Sequence, residues 1–154
     1  MRTPFRAGRA LVLALAGLSL LLSGCAIPRW PAEGPLISPF GVRWRGLLPD
    51  LHRGVDIQIP TGSEVRAMSP GRVLYAGEMS GYGLVVWLEH GGEVITNYAH
   101  LSELHVRAGD VVEGGQVIAL SGASGNAEGP HLHFEVWRWG REVDPVPLLG
   151  GFPG

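Results

Sequence analysis

From residue 55 onward the apolar residues come in short bursts rich in Val, Ile and aromatics, with Gly or Pro between them. Bursts of this length, bounded by turn residues, have the pattern of strands. They predict strands at 55–59, 64–68, 72–76, 84–89, 93–98, 116–121 and 132–137. His90-Gly91-Gly92-Glu93 falls between two of them and suits a hairpin turn, since Gly reaches positive φ without a steric penalty. No stretch beyond residue 25 keeps a 3.6-residue period over ten positions. The expectation is an all-β domain built mostly of antiparallel strands.

Composition agrees with that pattern. The 154 residues include 24 Gly and 12 Pro, which would break helices repeatedly, while 45% hydrophobic residues supply a core. With 12 basic residues against 14 acidic ones there is no basic excess to hold nucleic acid. All 12 basic residues are Arg. That matters because the run from Gly109 to Val117 resembles turns of lipoyl and biotinyl carrier domains, which carry their cofactor on a Lys. A chain without Lys keeps the architectural likeness and loses that function.

The first residues have a different pattern. Arg2, Arg6 and Arg9 precede an apolar run over 10–22, then Ser23, Gly24 and Cys25, the organisation of a secretory signal peptide. Leu22-Ser23-Gly24-Cys25 resembles the bacterial lipobox, which implies cleavage before Cys25 and a lipid on its sulfur. Cys25 is the only Cys, so no internal disulfide can form. The expected organisation is a signal peptide over 1–24, a lipidated Cys and Pro-rich tether over 25–35, a folded domain over 36–149 and a tail over 150–154. Cleavage would leave nine Arg against 14 acids, a net charge near −5.

The candidate chemistry lies in the His residues. His52-Arg53-Gly54-Val55-Asp56 spaces an imidazole and a carboxylate four apart, and His131-Leu132-His133 places two imidazoles on one face of a predicted strand. Leu132, Phe134 and Val136 then face the core. Two His and one Asp make a three-ligand site with an open position, the pattern of catalytic zinc, although a solvated face accounts for either spacing taken alone. His90 and His105 read as structural and surface residues. Glu135 shares the face of His133 and is a candidate to orient it, or is a surface Glu. Tyr98 has the strand parity of His100 and either lines a groove or packs. Trp137 and Trp139, the Trp residues nearest the paired His in sequence, are candidates for substrate contact or for ordinary packing, and 122–129 is a candidate mobile groove wall.

Taken in order, Ser38-Pro39-Phe40-Gly41-Val42-Arg43, His52-x-Gly54-x-Asp56, Tyr98-Ala99-His100-Leu101-Ser102 and Gly129-Pro130-His131-Leu132-His133-Phe134-Glu135-Val136 resemble the motifs of lysostaphin/LytM-type zinc metallopeptidases. The resemblance implies a small β structure of the duplicated hybrid (barrel-sandwich) type with a long groove. It assigns His52, Asp56 and His133 as ligands of one Zn2+, and His100 and His131 as the catalytic pair. Either of that pair can be the general base, leaving the other to stabilise the oxyanion or donate a proton. The implied substrate is the peptide portion of bacterial peptidoglycan. An inactive relative that activates another cell-wall hydrolase is the alternative, opposed by the presence of all five residues. Ala26 after the acylated Cys favours, by resemblance to envelope lipoproteins, an outer-membrane anchor facing the periplasm. Glu33 is the one residue of the tether with a carboxylate to reach the metal.

Overall fold

The computed structural model describes residues 27–152. The signal peptide, Cys25 and the last two residues of the expected tail therefore lie outside the described residues. In chain order the strands are β1 (Leu36–Ser38), β2 (Gly41–Arg45), β3 (Leu48–His52), β4 (Val55–Ile57), β5 (Glu64–Arg66), β6 (Gly71–Met79), β7 (Gly83–Glu89), β8 (Val94–Leu104), β9 (Val111–Val112), β10 (Val117–Ser121), β11 (Leu132–Arg138) and β12 (Arg141–Val143). One short helix, α1 (Pro145–Leu148), follows, capped by the Asp144 side chain accepting from the Val146 amide. All-β architecture is as expected, and each of the seven predicted strands has a counterpart.

The main sheet is antiparallel and ordered β1-β4-β11-β8-β7-β6-β9, with β12 beside β11 and β10 joining β5 to β8. Its inner face is apolar. Leu132, Phe134 and Val136 alternate inward on β11 and pack with Val55, Ile57, Leu88 and Tyr98, all inaccessible to solvent. Burying each of these large side chains stabilises the fold by roughly 1.5–3 kcal/mol. The outward residues of β11 are His133, Glu135 and Trp137, so core packing on one face fixes the polar row on the other. Among the described residues no helix is long and apolar enough to cross a membrane.

Two expectations need correction. The tether does not extend to residue 35: the Arg29 amide donates to the Met68 carbonyl, Pro31 and Pro35 carbonyls accept from Arg66 and Gln58, and the indole of Trp30 donates to Gly151 while packing on Phe152. The stretch from Arg29 is held to the domain because Pro31 and Pro35, which lack an amide donor, still offer a carbonyl to an amide of the domain. The second correction concerns β8. Between Tyr98 and Leu101 it carries an extra residue opposite β7, where Leu84 pairs with Leu101 but Val86 pairs with Tyr98. His100 sits in that bulge at φ 61°. A bulge breaks the two-residue alternation, so Tyr98 and His100 do not share a face.

Candidate functional site

Three ligand candidates come from three strands, two of them paired in the main sheet and the third in the separate β2–β3 hairpin. His52 ends β3, Asp56 is the centre of β4, and His133 lies directly opposite Asp56 across the β4–β11 pair. The turn between His52 and Asp56 runs close over β11: a Cβ on Gly54 would stand 2.3 Å from the Phe134 carbonyl oxygen. The central Gly of His-x-Gly-x-Asp is thus a clearance requirement.

The inward atoms form a tight triangle. His133 Nδ1 lies 2.8 Å from Asp56 Oδ1, His52 Nε2 3.1 Å from the same oxygen, and the two nitrogens are 3.2 Å apart. All three residues are buried. The outer nitrogen of each ring faces an acceptor, His52 Nδ1 donating to the Pro39 carbonyl (2.7 Å) and His133 Nε2 donating to Glu135 Oε1 (2.9 Å). Neutral imidazoles with those outer protons turn two nitrogen lone pairs and one carboxylate oxygen toward a common point. Such a donor set fits a cation. Without one, a proton takes its place: burial opposes charge on His133, but the hydrogen bonds and charges of Asp56 and Glu135 outweigh it and push its pKa up to about 9. Burial likewise opposes charge on Asp56, yet His133 and His52 hold its carboxyl far below the usual carboxylate range. Arg43 steadies the outer oxygen Oδ2 of Asp56 at 3.4 Å, and is itself held by Asp50 (2.9 Å) and Ser38 (3.0 Å).

Two further imidazoles border the triangle. His131 donates from Nδ1 to the Gly129 carbonyl (2.8 Å), leaving Nε2 as an acceptor 3.7 Å from Asp56 Oδ1. His100 donates from Nδ1 to the Ser124 carbonyl (2.8 Å), and its ring centre lies 4.7 Å from that of His131. Burial, then the neighbouring His131 and His133, lower its pKa, so it stays neutral more readily than a free imidazole. Both rings line an open cleft of about 690 Å³ together with His52, Asp56 and His133.

The remaining candidates separate. Glu135 is fully buried and is no surface residue; besides His133 it accepts from Tyr82 (2.8 Å), Trp137 (2.8 Å) and Asn97 (3.2 Å). Burial opposes its charge, but His133, Trp137 and Tyr82 hold its pKa below the ordinary value. Tyr98 does not line the groove: it is fully buried against Phe134, its hydroxyl accepting from the Met68 amide. Neither Trp137 nor Trp139 borders the cleft. Residues of 122–129 do form a wall, and it is pinned, with Ser124 Oγ donating to the Leu101 carbonyl and accepting from the Leu84 amide. His90 is structural, His105 pairs with Glu103 at the surface, and Glu33 is exposed and stands apart from the cleft.

Sequence reasoning did not single out Tyr82, whose hydroxyl donates to Glu135 and is pushed up to about 12 by burial and by that carboxylate. The only local signal was its position between Gly81 and Gly83, where chain reversal brings a side chain over the sheet. Gly83 and Gly125 allow that loop to meet the Ser124 loop: a Cβ on Gly125 would stand 2.4 Å from the Gly83 nitrogen.

Comparison with known proteins joins this geometry to a family. The chain is 40% identical over 131 residues to the murein hydrolase activator EnvC of Escherichia coli K12, covering 82% of this chain and 31% of EnvC. It is 42% identical over 113 residues to the DD-carboxypeptidase/endopeptidase Mpg of Neisseria meningitidis serogroup B, covering 72% of this chain and 26% of Mpg. The chain thus spans less than a third of the length of these curated relatives. The catalytic domain of the antimicrobial peptidase lysostaphin from Staphylococcus simulans superposes with a TM-score of 0.70 at 33% identity, over 77% of this chain and 93% of that domain. The profile of Peptidase family M23 matches residues 50–145, a segment that opens two residues before His52 and closes beyond His133. Sequence, fold and the row of converging imidazoles agree, and the chain belongs to peptidase family M23.

Proposed function

We propose that this chain is a zinc-dependent endopeptidase that cuts peptide cross-links or bridges of bacterial peptidoglycan. The observation that carries this reading is the donor triangle: with the Pro39 carbonyl and the Glu135 carboxylate against the outer ring nitrogens, the inner nitrogens of His52 and His133 and an oxygen of Asp56 lie within 4.8 Å of one another. A zinc ion held by those atoms would supply Lewis acidity toward a peptide carbonyl and would make water a stronger acid at neutral pH. The chain's own residues do the rest. His131 Nε2, 3.7 Å from Asp56 Oδ1, takes the proton of the attacking water, and the resulting N–H is then the donor for the leaving amine. His100, fixed through Nδ1 to the Ser124 carbonyl, presents its other nitrogen beside the same space and, with that nitrogen protonated from solvent before the peptide is attacked, would be the oxyanion's partner. The open cleft of about 690 Å³ has room for a stretch of peptide beside these residues.

Cys25 as a lipid anchor would hold the enzyme in the cell envelope, at the outer membrane facing the periplasm. A second reading is favoured by the 40% identity to an activator of murein hydrolases: a chain that binds such a hydrolase and stimulates it without cutting peptides itself. Both are separated by incubating residues 26–154, zinc-loaded, with purified peptidoglycan and analysing released fragments. New peptide ends that disappear in His131→Ala are the expected result. Fragments that appear only when a separate amidase is added, and survive His131→Ala, establish the activator instead.

A further inference from the structure

The bulge that carries His100 interrupts the ladder between β7 and β8. Leu84 and Leu101 are register partners beside it, and a side chain from a third segment ties them together. Ser124 Oγ accepts from the Leu84 amide (2.9 Å) and donates to the Leu101 carbonyl (2.7 Å). One hydroxyl thus serves a donor on one strand and an acceptor on the other, where the extra residue disturbs their pairing. It has room to enter because residue 83 is Gly: a Cβ there would collide with Ser124 Oγ.

The same residue holds the imidazole through its main chain. The Ser124 carbonyl accepts from His100 Nδ1 (2.8 Å), while the His100 amide donates to the Tyr82 carbonyl (2.9 Å). At φ 61° His100 has a backbone conformation that non-Gly residues seldom adopt, and surrounding contacts have to hold it there. Its ring needs holding too. A neutral imidazole turns about its side-chain bonds and carries its proton on either nitrogen, and a carbonyl fixed against Nδ1 settles both the angle and the tautomer.

His131 shows why a lock is needed. Its Nδ1 donates to the Gly129 carbonyl, an acceptor two residues away in sequence, so local chain geometry alone keeps ring and acceptor together. The acceptor of His100 is 24 residues away, on a different loop. Nothing local keeps that pair in register, and the distance between them is set by how the 122–129 loop docks on the sheet. The loop has a second tie, from the Asn126 amide to the Gly81 carbonyl (2.9 Å), but that tie reaches the turn before β7 and not β8. The Ser124 hydroxyl is bonded to the residue directly after His100, so it joins acceptor and ring over the shortest path.

We propose that Ser124 is a positioning residue for His100: its hydroxyl locks the 122–129 loop onto the β7–β8 bulge, so that its carbonyl fixes the ring angle and the Nδ1–H form of the imidazole. The ring's other nitrogen is then presented to the cleft in one orientation. Displacements well under the length of a hydrogen bond are enough to disable a group that has to meet a reacting atom, so a lock of this kind acts on turnover more than on binding. That catalytic consequence rests on the role given to His100 under the proposed function. The state of the ring itself is measurable without it.

The core and sheet contacts lie within residues 27–152, so the chain from Ala26 carries the complete fold. In that chain, zinc-loaded, Ser124→Ala is compared with Thr96→Val, which removes a buried hydroxyl from the same strand, one bonded to His90 and Tyr98 and not to His100. Both should lower the unfolding midpoint. Only Ser124→Ala should change His100: long-range 1H–15N spectra of its neutral ring should pass from a single form protonated at Nδ1 to a mixture of tautomers. On a peptidoglycan peptide, kcat of Ser124→Ala should fall about 10–100-fold with KM within about threefold and zinc still at one equivalent, while Thr96→Val keeps the wild-type kcat. Ser124→Cys, whose thiol is a weaker donor and acceptor, should fall between Ser124→Ala and wild type in both spectrum and kcat. An unchanged His100 spectrum in Ser124→Ala overturns the proposal, as does an equal loss of kcat in Thr96→Val, or a loss carried by KM or by zinc content. A wild type that releases no peptide ends overturns the proposed hydrolysis instead, and the His100 spectrum then decides by itself whether Ser124 holds the ring.

Discussion

His90 and His133 are both largely buried, both lie against the same sheet, and each has a partner on both ring nitrogens. Their partners differ. His90 is held between the Pro70 carbonyl and the Thr96 hydroxyl, both neutral, and burial lowers its pKa. His133 is held between two carboxylates, and they raise its pKa despite equal or greater burial. A neutral pair of partners makes an imidazole a strut that stays uncharged, and a charged pair makes it a seat for a proton or a cation. Burial of a His therefore says little about its role until the charge of what surrounds it is known.

That contrast can be broken at its strongest point first. Asp56→Ala removes the oxygen on which His52 and His133 converge, so zinc content measured by elemental analysis should fall to background and hydrolysis with it, by about 10³-fold or more. His131→Ala is the complementary test, because the proposed function gives His131 the proton transfer and none of the three ligand positions. It should retain zinc and lose about 10²–10⁴-fold in kcat on a peptidoglycan peptide.

Glu135→Gln sharpens the role of charge. The amide is nearly isosteric, but it neutralises one of the two carboxylates beside His133 and leaves one acceptor oxygen for the donors that two oxygens served, Tyr82 and His133 on Oε1 and Trp137 and Asn97 on Oε2. Zinc affinity measured by competition with a chelator should drop about 10–100-fold. Tyr82→Phe, which removes one donor to the same carboxylate, should weaken affinity in the same direction by less.

His90→Gln is the smallest of these effects and should fall on stability alone. Losing its paired hydrogen bonds should cost about 1–3 kcal/mol in chemical denaturation and leave zinc affinity unchanged. The pH dependence has a definite sign. The folded pKa of His90 lies below its unfolded value of 6.5, so its neutral form stabilises the fold above that pH, and this contribution is lost progressively as pH falls below it. The wild type should lose stability on acidification through this range more steeply than His90→Gln.

Much of this was legible in the chain. Period-two alternation of Leu132, Phe134 and Val136 located β11, placed His131 and His133 on its other face, and brought Glu135 with them. The ligand spacing was legible because Gly54 marks a turn with no space for a Cβ. The parity of Tyr98 misled, because an alternation rule presumes a regular strand and the bulge at His100 interrupts it. Tyr82, Asn97 and Ser124 reach the site through tertiary contact, with no local pattern to announce them. The β2–β3 hairpin did carry alternating residues, but Pro49 and Gly46 weaken its strand signal, and its apolar face points away from the core against which such patterns are read. The Pro-rich stretch looked like a tether because composition records missing amide donors and is silent about carbonyls that still accept.

The central claim is that five residues on β3, β4, β8 and the start of β11 make a working metal centre. Its most direct measurement titrates the metal-free mature chain with zinc while counting new amino termini released from a peptidoglycan peptide. Release should rise with added zinc and break at one equivalent per chain, with the break abolished in His133→Ala. No release at any ratio, or the same titration curve for His133→Ala, would contradict it.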